Sequence, residues 1–428
     1  MTTRKTALPL YLSAATLLRV SAEGLATALV LTVQARTGNA ATAGFLQTAL
    51  TLPYILSGPV VGHKLDQAAR PRRLVVALAL GYAVAAGLLL LIAGESPLML
   101  AIVVALVIGC TEPIVVGITS LVPRFVPPDR LTRAYGLEAS SYNAAAIVGP
   151  GLAAGMAAWA GGASSGIPIV LCAVLGLLAL PLLPLPGLTR PSPTTLTAPA
   201  DPPADSGAPS DPAAPAGSGV GREAGALADV VTGGLLVLAS NRVLRALTAA
   251  TTLAWLGFGG VAVTAVLLAE RLGADPSAGG QLLVAMAIGS LAGSLACARW
   301  LGVRHAERVM LAGLAGFGLA LAGPAVAPSL SWAMLCFFVA GICEGPVFAS
   351  TLMLRQRESP PDRLGQVNTT GGSLKIGASA IGAALTGTFA AKIGPVGLVL
   401  AIAACQFAGV VVGFVLLSTK RKDGRSRP

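Results

Sequence analysis

The sequence predicts an all-α membrane protein: twelve transmembrane helices arranged as two pseudo-symmetric six-helix bundles. Three observations carry this prediction. Of the 428 residues, 54% are hydrophobic and 11% charged, with a mean hydropathy of +0.78, outside what a water-facing chain of this length carries. Twelve apolar runs long enough to cross a bilayer fall into two groups of six. The two groups also share a short internal repeat.

A bilayer core of about 30 Å needs roughly 20 mostly apolar residues per crossing. Runs of this kind start near residues 9, 42, 74, 98, 134 and 166, and again near 244, 278, 309, 332, 366 and 396. Arg4 and Lys5 precede the first run, but it is too long for a signal-peptide core and lacks a clear cleavage site, so it reads as an uncleaved first helix. Between the groups, residues 186 to 215 hold nine prolines, no aromatic residue and almost no large aliphatic one. Such a composition buries too little surface to offset its ordering entropy and predicts a disordered tether. Beyond it, Leu227, Val230, Val231, Leu235 and Leu238 recur at helical spacing and predict a short helix in the membrane interface. The expected organisation is an N-terminal bundle over 1–183, a cytoplasmic linker over 184–226, a C-terminal bundle over 227–418 that includes the interfacial helix, and a basic cytoplasmic tail over 419–428.

The net charge of +11 raises nucleic-acid binding as a function class, and the placement of the basic residues argues against it. They sit in short clusters between apolar runs. With the N-terminus inside, the cytoplasmic segments carry 24 Lys and Arg and the outer loops only Arg36, Arg271 and Lys392. That asymmetry places both termini in the cytoplasm of a multi-pass plasma or bacterial inner-membrane protein, with the lipid bilayer as its solvent. The six cysteines lie within apolar runs without a CxxC pair and read as small core residues. The two histidines fall in basic loops, so no metal site or other cofactor is expected.

The repeat joins span 4 to span 10. Gly109-Cys110-Thr111-Glu112-Pro113 precedes Pro127-Pro128-Asp129-Arg130-Leu131, and Gly341-Ile342-Cys343-Glu344-Gly345-Pro346 precedes Pro360-Pro361-Asp362-Arg363-Leu364. A buried glutamate, a following helix breaker and a five-residue identity in the same order indicate parallel structural repeats.

The loop after span 2 runs Gly62-His63-Lys64-Leu65-Asp66-Gln67-Ala68-Ala69-Arg70-Pro71-Arg72-Arg73. It resembles the signature loop of the major facilitator superfamily, with Gln67 and Ala69 departing from the usual basic residue and glycine. The resemblance implies a conformational latch formed by Gly62, Asp66, Arg70, Arg72 and Arg73, in which Asp66 meets the positive N-terminal end of span 11. A solvated loop carboxylate is the other reading of Asp66. Gly149 and Pro150 in span 5 are similar to the Gly-Pro motif of the family's exporters, and physically they kink the helix and permit close packing. Ala105 stands where proton-coupled exporters place an arginine. Among subgroups the chain looks most like bacterial drug and siderophore exporters.

An ionisable group at a helix centre costs about 2.5 to 3.5 kcal/mol, so those retained at depth mark a pathway or a pair. The spans retain Arg19, Glu23, Glu112, Glu344 and Lys375. Arg19 and Glu23 are four apart and are expected to pair, either to hold helices together or on the wall of a pathway. Glu112 precedes Pro113, and Glu344 precedes Gly345 and Pro346, so matching helix interruptions point to a midplane site for substrate or protons. Lys375 reads either as the partner of Glu344 or as an inner-half residue reaching water. Trp255 and Phe258 in span 7 read as substrate contacts or as packed rings.

The expected function is secondary active transport of a small organic molecule across the plasma membrane by alternating access, with proton-coupled efflux as the leading reading, protons and the substrate as partners and the protein as a monomer. Proton-coupled uptake and a non-transporting receptor on the same fold are the alternatives. No GxxxxGK[ST] phosphate loop is present, and the predicted spans lack the His and Asp of an intramembrane hydrolase, so an enzyme is not expected.

Overall fold

The computed structural model describes residues 3–38, 40–183, 219–274, 278–300, 303–326 and 329–419, and among them the secondary structure is helical. Spans 1 to 3 are α1 (Thr3–Thr37), α2 (Ala40–Gln67) and α3 (Pro71–Ile92). Span 4 is broken: α4 (Leu98–Thr111) and α5 (Ile114–Gly117) flank Glu112 and Pro113, and a 3-10 segment, Ile118–Arg124, completes it. Spans 5 and 6 are α6 (Leu131–Ala160) and α7 (Ile167–Ala179). After α8 (Gly219–Ser240), span 7 is split into α9 (Arg242–Phe258) and α10 (Val261–Arg271). Spans 8 to 10 are α11 (Ala278–Trp300), α12 (Ala306–Ala322) and α13 (Leu330–Glu358).

The last helix, α14 (Leu364–Ser418), has 55 residues. At 1.5 Å per residue it is about 80 Å long, far more than one bilayer crossing. Gly394, at φ 66° and ψ 174°, ends one helix there, and Pro395 begins the next, where its missing N–H costs no helical bond. Spans 11 and 12 are therefore its two parts, and the expected twelve crossings are present.

One expectation along the chain needs adjustment. Helix α8 begins at Gly219, inside the segment read as tether to residue 226, because Ala224, Ala226, Leu227 and Ala228 are good helix formers. Residues 184–218 of that tether and 420–428 of the tail lie outside the described residues.

Polarity is distributed as lipid demands. Leu91, Leu178 and Phe414 are more than 60% exposed on the outer surface, whereas Arg19 is 1% and Lys375 5% exposed inside. Within the N-terminal half, α1 packs on α6 and α7; within the C-terminal half, α14 packs on α9 and α11 on α13. The halves meet along α2 with α14 and α6 with α11. Ser140 Oγ donates to Ser294 Oγ at 3.0 Å, and Asn143 Nδ2 donates to the Ser290 carbonyl at 3.1 Å. Ser373 Oγ donates to the Tyr54 carbonyl at 3.3 Å.

Candidate transport pathway

Helices α1 and α6 approach closely because glycines face each other: a Cβ on Gly149 would lie 2.6 Å from both Gly24 N and the Val20 carbonyl oxygen. This contact leaves Arg19 opposite Glu138 rather than Glu23. Arg19 Nη2 pairs with Glu138 Oε1 at 2.5 Å, with both side chains at most 1% exposed. Tyr11 OH donates to the same oxygen at 2.6 Å and Thr119 Oγ1 at 2.8 Å. Arg19 Nη1 donates to Ser141 Oγ, and its guanidinium lies 3.7 Å from the Tyr142 ring centroid. The expected Arg19–Glu23 pair is thus corrected: helical spacing made Glu23 available, but the packing of α1 on α6 gave Arg19 a buried carboxylate on another helix.

Glu23 faces a different space. With Gln47, Thr51, Tyr54, Glu112 and Ile376 it lines a cavity of about 220 Å³ between spans 1, 2, 4 and 11. Glu23 lies past the middle of α1, and Gln47 and Thr51 lie before the middle of α2, so the cavity sits away from the end that carries Thr3. Pro113 ends α4 here, since it supplies no N–H to continue the ladder, and Glu112 is left at the break.

The repeat-related Glu344 does not share that cavity. Its carboxylate accepts a hydrogen bond from Ser290 Oγ, and it borders a small void with Trp255, Phe258, Phe317 and Gln406. The Trp255 and Phe258 rings stack at 5.4 Å between centroids, and Phe258 stacks on Phe317 at 6.1 Å. Unlike Pro113, Gly345 and Pro346 do not end their helix: α13 runs through them, held against α11 where a Cβ on Gly345 would lie 2.5 Å from Ser294 N. Pro150 likewise stays within a continuous α6. Lys375 does not pair with Glu344; its Nζ lies 4.1 Å from the Trp255 ring centroid and 5.7 Å from that of Phe348.

At the end of the bundle carrying Thr3, Asp66 accepts hydrogen bonds from Gly365 N at 2.7 Å and Gln366 N at 2.8 Å, two first-turn donors of α14 that have no partner within the helix. Gly62 makes this possible, because a Cβ there would run into the Gly365 carbonyl and Thr369 Oγ1. Three members of the expected latch lie elsewhere. Arg72 donates to the Pro181 carbonyl at the end of span 6, and Arg70 and Arg73 are exposed around the start of α3. Pro71 opens α3 at this point.

Two buried charged residues escaped the sequence reading. Glu138 lies a few residues after the charged cluster of Asp129, Arg130 and Arg133, at a position that looks like the approach to a span rather than its interior. Arg355 sits in a basic cluster at the end of span 10 yet is only 4% exposed, packed against Gly371. The absence of a side chain at Gly371 was the available signal.

Residues 11–251 and 247–428 match the family model described as Major Facilitator Superfamily. The chain belongs to that family. It is a multi-pass secondary transporter of the superfamily, built from apolar helices. An uncharacterized MFS-type transporter, y4rN, of Sinorhizobium fredii (strain NBRC 101917 / NGR234) is 25% identical over 88% of this chain and 86% of its own. The human organic anion transporter MFSD10 has a similar structure, with a TM-score of 0.75 at 16% identity over 96% of this chain and 99% of that one. A bacterial homologue of the iron transporter ferroportin in an outward-facing state reaches a TM-score of 0.70 at 18% identity, over 96% and 100%. The Escherichia coli fucose:proton symporter FucP reaches 0.71 at 14%, over 97% and 100%. These structural likenesses bear on the fold, which is the superfamily's two-bundle architecture.

Proposed function

We propose that this transporter exports a small organic molecule across the plasma membrane in exchange for protons, by rocking its two bundles about the central pathway. The observation that carries the reading is the pair of carboxylates, Glu23 and Glu112, on one cavity wall. No hydrogen bond or ion pair occupies either carboxylate among the described residues. A carboxylate in a low-dielectric cavity favours its neutral form, and access to water favours its ionised form. Exposing Glu23 and Glu112 alternately to the two sides therefore couples protonation to conformation.

Arg19 serves a different purpose in this scheme. Its charge is taken up by Glu138, so the pair fixes α1 to α6 and leaves Glu23 free for the cavity. Asp66 at the start of α14 holds the opposite end shut, and its release is the step that opens the pathway there. The Gly149-Pro150 pair resembles the motif that the family's exporters carry in this helix, and that resemblance, rather than the packing itself, supports export as the direction.

The test is transport by purified protein in proteoliposomes under an imposed pH gradient, against a panel of hydrophobic drugs and siderophore-like compounds. The proposal expects at least one compound to move against its own gradient, opposite to the proton flow. Movement in the same direction as protons would replace export with uptake. Saturable binding with no movement of any compound would replace transport with a receptor role.

A further inference from the structure

Arg355 and Lys375 are the two most deeply buried cations left without a carboxylate partner among the described residues. Lys375 is 5% exposed, and its Nζ has no hydrogen-bond partner. Arg355 is 4% exposed; its Nη1 donates to the Asn368 carbonyl at 3.3 Å, while Nε and Nη2 have no partner. Asn368, Gly371 and Lys375 recur at helical spacing on α14, and the Arg355 guanidinium packs directly on Gly371. The two cations therefore follow one another along a single face of span 11.

Neither nearby acid contacts these cations directly, although the Glu344 charge is close enough to act on Lys375. Glu138 is held by Arg19, and Glu344 accepts from Ser290 rather than from Lys375. An unpaired cation in a low-dielectric interior is strongly unfavourable, so a chain that retains two gains stability whenever a bound group supplies the negative charge. The surroundings define the rest of that group. Trp255 lies under the Lys375 ammonium, and Phe348 links it to Tyr142 through an edge contact of 5.1 Å between centroids. Tyr142 belongs to the N-terminal half and Phe348 to the C-terminal half, so parting the bundles opens this aromatic wall beside the cations.

We propose that the transported substrate is an aromatic organic anion, its carboxylate or equivalent held by Lys375 and Arg355 and its ring stacked against Trp255 and Phe348. This assignment rests on the transporter reading above and deepens it. The aromatic faces supply ring contact, and the two cations supply charge-assisted hydrogen bonds that a neutral analogue lacks.

The experiment uses the full chain in detergent with Trp159, Trp300 and Trp332 replaced by Phe, so that Trp255 alone reports. The probes are a panel of naphthalene and indole carboxylates, each with its neutral amide and its aminomethyl cation. The proposal expects saturable quenching of Trp255 by one or more carboxylates, with the matched amide binding about 10- to 100-fold more weakly and the cation weaker still. Lys375→Gln is expected to reduce carboxylate affinity to the level of the amide, and Lys375→Arg to restore it. With the triple Trp→Phe protein shown to keep its helical content by circular dichroism, equal or tighter binding of amides or cations, or no quenching by any carboxylate, overturns the proposal, and neither outcome depends on a substitution at Lys375. Loading the same probes into proteoliposomes separates the two readings. Binding without movement counts against transport and leaves the anion site standing, whereas movement of cations or amides in preference to carboxylates counts against the anion site and leaves transport standing.

Discussion

Arg19 of α1 and Glu138 of α6 form an ion pair of 2.5 Å with both side chains almost fully buried. Tyr11 and Thr119 add hydrogen bonds to the same carboxylate oxygen, so the pair is the hub that joins spans 1, 4 and 5.

Removing one member strands the other in the interior. Glu138→Gln is expected to destabilise the protein by about 3–5 kcal/mol, because Arg19 is left as an uncompensated buried charge. The double variant Arg19→Met/Glu138→Leu is expected to cost less than Glu138→Gln alone. Thermal unfolding in detergent measures both, and equal stability of Glu138→Gln and wild type would remove the hub role.

Asp66 joins α2 to the first free N–H groups of α14. Asp66→Asn keeps the size but loses the charge that favours the helix N-terminus, a loss of about 1–2 kcal/mol in the closed state. Spin labels at Lys64→Cys and Asp362→Cys in a cysteine-depleted background are expected to show a longer-distance population in this variant. An unchanged distance distribution would mean that Asp66 does not hold the two halves together.

Gly62 tests the same closure sterically. Its Cα faces the Gly365 carbonyl so closely that any side chain displaces α14. Gly62→Val is therefore expected to abolish the short-distance population between the same labels while retaining helical content by circular dichroism. Persistence of that population would show that closure tolerates a side chain at this contact.

Gly394 supports the turn between spans 11 and 12 with a backbone conformation, φ 66° and ψ 174°, that is essentially confined to glycine. Gly394→Ala is expected to cost about 1–3 kcal/mol in thermal unfolding experiments. Gly387→Ala, in a helical setting with nothing within 4 Å of the added Cβ, serves as the control and is expected to be neutral or slightly stabilising. Equal behaviour of the two variants would contradict the strained turn.

The spans were legible because bilayer thickness sets a length and a composition that a linear sequence displays directly. The helix starts follow the expected runs to within a turn or two, including the division at Gly394 and Pro395. Side-chain partners were less legible. The sequence presents Arg19 with Glu23 one turn away, but the partner chosen by packing lies on another helix, 119 positions along the chain. The repeat placed Glu112 and Glu344 at equivalent positions, yet a proline alone breaks span 4 whereas packing of Gly345 on α11 keeps span 10 continuous. Arg355 reads as part of a water-facing basic cluster, and only the bare Cα of Gly371 admits it to the interior. Local periodicity carries the first kind of information; close approach between distant helices carries the second.

The central claim is that Glu23 and Glu112 couple proton movement to transport from their common cavity. Its most direct test compares wild type with Glu23→Gln/Glu112→Gln in proteoliposomes, measuring pH-driven accumulation and substrate exchange in the absence of a gradient for the same transported compound. The account predicts that the double variant loses accumulation and retains exchange. Accumulation at the wild-type level in that variant would contradict it.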